Sequence, residues 1–459
     1  MSDADDLYVM GAGMAGMNAA GRAVDAGARV ALIERGRVGG TCPTRGCIPT
    51  KALIRSAEIA HEIRGAEEFG IRVGGLEVDF AAVMDRVRGI IDRGSRGAQG
   101  WLESLPGLEL IHGEAAFEGP GAVRVDGRVL TAPRVVVASG AEPASVPIPG
   151  LSDTPHLTSD DVLALDEMPR RLLVVGAGPI ALELGQALGR LGAEVTMVEV
   201  ADAFLAGSDR EITTMLRGFL EEEGLRILVG ATIHGVNPAP GGGVEMGLTH
   251  DGQRLSLEAD ALLLATGRAA STGALALEAA GVERDRRGIT VDARLRTSAT
   301  GIWAAGDVLG PEWGQFTHVA RRQGVDVTEN ALGIDPHDVP ADVGPRAVFT
   351  DPELVSIGLT EDAARAAGHA VSVGTGRFSG GKARAWGEER GMARVVAKAG
   401  TGRILGAHVL GYHAADLIHP VAVAMQAGDG TGAPIARAFH IHPTFGEVVK
   451  SAVEASQPR

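Results

Sequence analysis

The chain has 459 residues, 45% hydrophobic and 22% charged, with 43 basic against 58 acidic side chains and a formal net charge of −15. This length and apolar share suit roughly three domains with their own cores and exclude a disordered tail, a collagen or a coiled coil. The acidic balance argues against a nucleic-acid partner, because neutralising a phosphate backbone takes clustered Lys and Arg. The 66 glycines are about twice the usual ~7% and follow no short period, a pattern of tight turns and close backbone approaches. The opening residues, Met1 to Asp6, are acidic where a secretory leader is basic, and Gly11, Gly13 and Gly16 break the apolar stretch that follows. No run approaches the ~18 apolar residues of a membrane helix, so no membrane partner and a cytoplasmic location are expected.

The first predicted strand, Leu7-Tyr8-Val9-Met10, runs into Gly11-Ala12-Gly13-Met14-Ala15-Gly16 and a helical stretch reaching about Gly27. A second strand, Arg29 to Ile33, ends at Glu34. This is a βαβ start carrying the dinucleotide fingerprint: the glycines bring backbone N–H groups to a pyrophosphate at the helix N-terminus, and Glu34 is placed for a ribose diol.

Next comes Gly39-Gly40-Thr41-Cys42-Pro43-Thr44-Arg45-Gly46-Cys47-Ile48-Pro49-Thr50-Lys51, which holds the only two cysteines. In a regular helix, residues five apart have Cα atoms about 8.6 Å apart, beyond the roughly 7 Å that a disulfide tolerates. Bonding Cys42 to Cys47 therefore requires a distorted segment, which Pro43, Gly46 and Pro49 supply. A strained local disulfide suits reversible redox chemistry; two unpaired buried thiols are the alternative, and a structural zinc site lacks the ligands.

Val146-Pro147-Ile148-Pro149-Gly150 reads as a linker. Beyond it the fingerprint unit recurs: strand Leu172 to Val175, then Gly176-Ala177-Gly178-Pro179-Ile180-Ala181, a helix through Glu183 and Leu188, and a strand from Glu194 to Glu199. The acidic residue follows the first glycine by 23 positions in both copies, far stronger evidence than one glycine-rich turn. Two such sites in one chain imply hydride or electron traffic between two cofactors. Ala261 to Leu264 is a further strand ending in Ala265-Thr266-Gly267-Arg268, and Gly301 to Asp307 is another ending at a turn, where Asp307 could equally be a helix cap. Past Pro340 the βαβ rhythm gives way to a mixed α+β pattern.

GGTCPTRGCIPTK resembles the redox-active segment of the class I pyridine nucleotide–disulfide oxidoreductases, the family of dihydrolipoamide dehydrogenase, glutathione reductase and mercuric reductase. The resemblance extends through both fingerprints, Ala265 to Arg268, Ala304 to Asp307, and His442-Pro443-Thr444-Phe445-Gly446-Glu447. It implies an α/β chain with two Rossmann-like dinucleotide-binding domains and a C-terminal α+β dimerisation domain. The expected division is 1–148 and 268–338 for FAD, 149–267 for NAD and 339–459 for the dimer interface.

The resemblance further implies a homodimer with FAD on the first fingerprint and a nicotinamide nucleotide on the second. Cys47 would be the thiol against the flavin and Cys42 the interchange thiol. Lys51 would lie near the flavin paired with Glu183, and Asp307 would contact the ribityl chain. His442 and Glu447 would reach the other subunit's disulfide. Gly40, Thr41, Ser139, Gly140, Thr317, Ile180 and Gly267 complete the expected cofactor-binding set, and no metal ligands are expected.

The residues themselves agree with parts of this. Histidine serves as acid and base near neutral pH. Glu447 could orient His442, although Thr444 to Glu447 also spells a capping box; His440 is expected to be structural. A carboxylate at Glu199 would hold a 2′-OH and repel a 2′-phosphate, favouring NAD(H) and counting against the glutathione reductase branch. His442 and a C-terminal stretch without cysteine count against the mercuric one. The expected activity is dihydrolipoamide oxidation through disulfide, FAD and NAD+, with the lipoyl group supplied by a partner protein, as in a 2-oxo acid dehydrogenase complex. The alternatives are an NAD(P)H-dependent reductase of another disulfide, a quinone or a metal ion, or a non-catalytic flavoprotein sensor.

Overall fold

The computed structural model describes residues 6–341 and 344–458; residues 1–5 of the acidic opening stretch lie outside the described residues. Leu7–Met10 and Val30–Glu34 form strands, with the Met14–Asp25 helix between them. The helix stops two residues short of the Gly27 expected from sequence. Because each strand is covered on both faces, its side chains are apolar almost without interruption rather than alternating: Leu7, Val9, Val30 and Leu32 are all fully buried.

The fingerprint strand is central in a five-stranded parallel sheet ordered Ile302–Ala304, Val135–Val137, Leu7–Met10, Val30–Glu34, Leu108–His112. Its edge strand returns from far along the chain, so a second parallel sheet intervenes in sequence. That sheet is ordered Arg226–Val229, Glu194–Glu199, Arg171–Val175, Ala261–Leu264, Leu157–Thr158. The second fingerprint strand is again central. Each parallel sheet carries an antiparallel three-stranded meander, Ala115–Thr131 in the first unit and Thr232–Ala259 in the second. The antiparallel pair Ala141–Pro143 and Arg268–Ala270 joins the segments on either side of the second unit.

The last sheet is five-stranded and antiparallel, ordered Arg346–Val348, Glu353–Gly358, Ile404–Gly411, Met392–Lys398, Val371–Arg377. The Gly446–Ser456 helix closes its core with Val449 and Val453 against Phe378, Val395 and Val409. At the other end of this sheet, Val348 and Leu354 bury into the cluster formed by Leu184 and Leu188 of the Pro179–Leu191 helix. The first hairpin of the third sheet is therefore packed onto the second nucleotide unit. Among the described residues no helix is long and apolar enough to cross a membrane.

Candidate active site

The sequence between the cysteines breaks the helix where the prolines and glycine led us to expect it. A single turn, Thr41–Thr44, ends at Arg45, and a new helix, Cys47–Gly65, starts after Gly46. The break is anchored on the first fingerprint loop. Gly39 N–H donates to Ala12 C=O at 2.9 Å, and a Cβ on Gly40 would lie 2.6 Å from Gly13 Cα, a backbone contact that only glycine allows. Thr44 Oγ1 ties the turn back to Gly40 C=O at 2.6 Å.

The structure holds the expected redox pair in its reduced form, as two half-buried thiols, hydrogen-bonded to each other and therefore polarised. Cys42 donates, which pushes its own thiol well above the usual range, with burial adding to the effect. Cys47 receives that bond, and its thiol is drawn down to about 6 against the opposing cost of burial. Thr317 Oγ1, at 3.3 Å, and the Lys51 ammonium act in the same direction. Cys47 is also the first residue of its helix, and neither that helix nor Thr317–Leu332 has an acidic residue in its first turn. Helix N-termini favour a thiolate. Lys51 follows Cys47 by one turn on the same face, and its Nζ donates to Glu183 Oε2 at 2.7 Å. Glu183 is buried on the Pro179–Leu191 helix.

Both fingerprints fold alike. Gly11 and Gly176 adopt φ of +111° and +108°, and their N–H groups donate to Ile33 and Val198 at 2.8 Å each. The helices that follow have Gly13 and Gly178 at their N-caps and no side-chain cap, leaving first-turn N–H groups for a pyrophosphate. The acidic residues close the two loops in the same way. Glu34 accepts from Ala12 N–H and Gly36 N–H, both at 2.7 Å; Glu199 accepts from Ala177 N–H at 2.9 Å and Ala201 N–H at 2.8 Å. A carboxylate has about four acceptor directions, so each retains capacity for ribose hydroxyls. Sequence reasoning expected a ribose role for these residues and missed the loop brace.

A cleft opens between Gly11, Glu34, Gly113, Ser139, Ser271 and Leu275. Ser139 Oγ donates to Ser271 C=O at 2.8 Å, and Gly140 C=O accepts from Ser271 N–H at 2.9 Å. Asp307 opens a 3-10 turn, Asp307–Leu309, rather than capping a longer helix. Burial pushes its carboxyl above the usual range, against the pull of Arg268. Among the described residues its carboxylate accepts no hydrogen bond. The Asp307 turn is set by Gln323, whose Oε1 accepts Gly306 N–H at 2.8 Å. A cleft at the first fingerprint, a carboxylate awaiting donors and bare helix amides fit the adenosine, ribityl and pyrophosphate parts of FAD. At the second fingerprint, Ile180 lies in the first turn of the helix and Gly267 holds φ at +107°.

Gly16 gives the cradle a sharp test. A Cβ there would run into the Gly11 carbonyl and approach Val9 Cγ1 at 3.3 Å. Gly16→Ala should therefore cost at least about 3 kcal/mol, read as a lowered urea midpoint and loss of bound flavin on purification.

Arg268 was named in a motif but given no role by the sequence. It donates to Ala141 C=O at 2.5 Å and Thr41 Oγ1 at 3.4 Å, and pairs with Asp160 at 3.6 Å. Asp160 also pairs with Arg45, the residue between the cysteines, at 3.5 Å.

His442 and Glu447 form a second centre. His442 Nδ1 lies 3.0 Å from Glu447 Oε1, and Thr444 N–H donates to Glu447 Oε2 at 3.0 Å. These contacts hold the Glu447 carboxyl below its usual range, the backbone bond first and the imidazole second. Only this arm of the expected capping box forms, because Thr444 Oγ1 donates instead to Ile441 C=O. His440 Nε2 sits 3.1 Å from Ile435 C=O, the structural part expected of it. The His442 side chain is 73% exposed, and the neighbouring Phe439 and Ile441 are exposed too. Among the described residues no hydrogen bond or ion pair joins this centre to the cysteines of the same chain.

Known proteins agree with this architecture. The pattern of the Pyridine nucleotide-disulphide oxidoreductase family matches residues 5–324, and that of its dimerisation domain matches residues 344–453. Dihydrolipoyl dehydrogenase of Thermus scotoductus is 38% identical, over 98% of this chain and 97% of its own. Mercuric reductase of Staphylococcus aureus is 35% identical, over 92% of this chain and 77% of its own. The Cu(II) complex of the HOCl-induced flavoprotein disulfide reductase RclA from Escherichia coli superposes with a TM-score of 0.88 at 29% identity, over 99% of this chain and 100% of its own. The chain belongs to the pyridine nucleotide-disulphide oxidoreductase family and shares its FAD and nicotinamide cofactors.

Proposed function

We propose that the protein oxidises a dithiol, dihydrolipoamide or a protein-bound dihydrolipoyl group, and passes the electrons to NAD+. The observation that carries this reading is the hydrogen-bonded pair at the helix break, whose surroundings favour a thiolate at Cys47 and a protonated thiol at Cys42. FAD, when bound, supplies the two-electron relay between this pair and the nicotinamide. A substrate thiolate attacks the oxidised pair at Cys42, forming a mixed disulfide and releasing Cys47 as the thiolate. The second substrate thiol, deprotonated by His442, then attacks its partner sulfur, closing the substrate disulfide and expelling Cys42. Thr317 and Lys51 stabilise the anionic Cys47, and Glu183 holds Lys51.

In this reading His442 and Glu447 serve the cysteines of a second copy, in a homodimer formed through residues 339–459. The exposure of His442 beside Phe439 and Ile441 supports such an arrangement. Residues 1–148 and 268–338 form the FAD unit and 149–267 the NAD unit. Glu199 supports NAD over NADP, since a carboxylate ending this strand would hold a 2′-OH and repel a 2′-phosphate. The names of the dihydrolipoyl dehydrogenase relatives support the lipoyl substrate. A 2-oxo acid dehydrogenase complex is the fitting source of that group.

A panel on the purified holoenzyme tests this. Dihydrolipoamide with NAD+ should be turned over at a kcat/KM at least about 10³-fold above NADH-driven reduction of glutathione disulfide, quinones, Hg(II) or Cu(II), and NADP+ should be used at least about tenfold less well than NAD+. Preferential reduction of a metal ion would favour the second reading, which the mercuric reductase and Cu(II)-bound relatives support.

A further inference from the structure

Phe349 touches the redox site from the third sheet, in a turn that no motif marks. Lys51 Nζ sits over its ring, 4.2 Å from the centroid, and its backbone N–H donates to Glu183 Oε1 at 3.0 Å. With the Lys51–Glu183 pair at 2.7 Å, the three residues form a closed circuit. The ring attracts the ammonium, the ammonium pairs with one carboxylate oxygen, and the other oxygen is fixed by the backbone that carries the ring.

The turn is held firmly enough to act as a support. Gln186 exchanges two 2.8 Å bonds with the backbone of Asp351. The Asp351 carboxylate pairs with Arg190 at 2.8 Å and with Arg390 at 3.1 Å. Glu183, Gln186 and Arg190 follow one another at helical spacing on one face of the Pro179–Leu191 helix, so a single stripe grips residues 349–351 at three levels. Lys51 needs such support. Its side chain is about one-third exposed, and a lysine stem has enough rotamer freedom to turn its ammonium toward water.

We propose that Phe349 is a positioning residue for the redox site, confining the Lys51 ammonium one helical turn from Cys47 through its ring face and orienting Glu183 through its backbone. The inference rests on the reading that Lys51 acts on Cys47. It makes the C-terminal sheet part of the electrostatics of the thiol pair.

The test is the pH profile of the long-wavelength absorbance that the Cys47 thiolate gives in the two-electron-reduced holoenzyme. Its protonation is governed by Cys42, Thr317 and Lys51. Phe349→Leu and the volume-matched Phe349→Met should each raise the apparent pKa by about 0.5 unit, a roughly threefold lower thiolate-to-thiol ratio at a given pH. Phe349→Tyr, which keeps the ring face, should leave it at the wild-type value, and Lys51→Met should raise it at least as far as Phe349→Leu. If Lys51→Met moves the profile while the Leu and Met variants do not, the positioning role is overturned and the Lys51 reading survives. If Lys51→Met leaves the profile unmoved, both fall.

Discussion

Replacing Cys47 with serine should remove both disulfide turnover and the long-wavelength absorbance of the reduced holoenzyme, while Cys42→Ser should keep the absorbance and lose turnover. The two thiols differ because their surroundings differ. Cys47 collects an S–H bond from Cys42, the Thr317 hydroxyl at 3.3 Å, the Lys51 ammonium and the N-terminus of its own helix, all of which favour negative charge. A serine at position 42 can still donate its hydroxyl, so the thiolate survives, but no sulfur remains to exchange with substrate. Turnover should fall at least about 10³-fold in either variant. The absorbance should also fade as pH falls, because a thiol drawn down to about 6 is ionised at pH 7 and protonates on the acid side of that value. A thiolate band persisting in Cys47→Ser would exchange the roles of the two sulfurs.

The fold was legible where local chemistry dictates it. Gly11 and Gly176 stand at strand ends because only a positive φ lets the chain turn under a helix, and that demand appears in sequence as a spaced glycine pattern. The helix break at Arg45–Gly46 was legible for the same reason, since prolines and glycines act on their own backbone. What the sequence hid are contacts between distant segments. Phe349 and Glu183 are 166 residues apart and Cys47 and Thr317 are 270 apart, and no spacing rule links such pairs. Thr317 entered the expected site only through family resemblance, and Phe349 entered by no route, because an aromatic in a short hairpin ordinarily reads as core. The loop bracing by Glu34 and Glu199 was hidden differently. The residues were singled out for a ribose, but no spacing rule shows that a carboxylate with several acceptor directions also holds its own loop.

His442→Gln should lower dithiol oxidation by about 10²–10⁴-fold, the usual range for a positioned acid–base group, and leave NADH-driven dye reduction within about twofold of wild type. The asymmetry follows from where the residue sits. Dye reduction draws electrons from the nicotinamide side and requires no proton transfer at the substrate thiols. Dithiol oxidation requires a base at the substrate sulfur, and glutamine retains the size of histidine without its proton affinity. In the proposed mechanism Glu447 acts through His442. Its carboxyl, held below the usual range by Thr444 N–H and the imidazole, stays ionised across the working pH range. Facing Nδ1 at 3.0 Å, it favours the tautomer that leaves Nε2 free for the thiol. Glu447→Gln should therefore lose about tenfold in dithiol oxidation, with the dye assay again unchanged. Equal losses in the two assays for His442→Gln would place the defect in the scaffold and remove the acid–base role. Because among the described residues no hydrogen bond or ion pair joins the exposed His442 to its own chain's cysteines, a mixed dimer offers a further check. Cys42→Ser and His442→Gln subunits, each inactive alone, should regain one working site per hybrid, about half the activity of a wild-type dimer, if the base is supplied across the interface, and none if each chain serves itself.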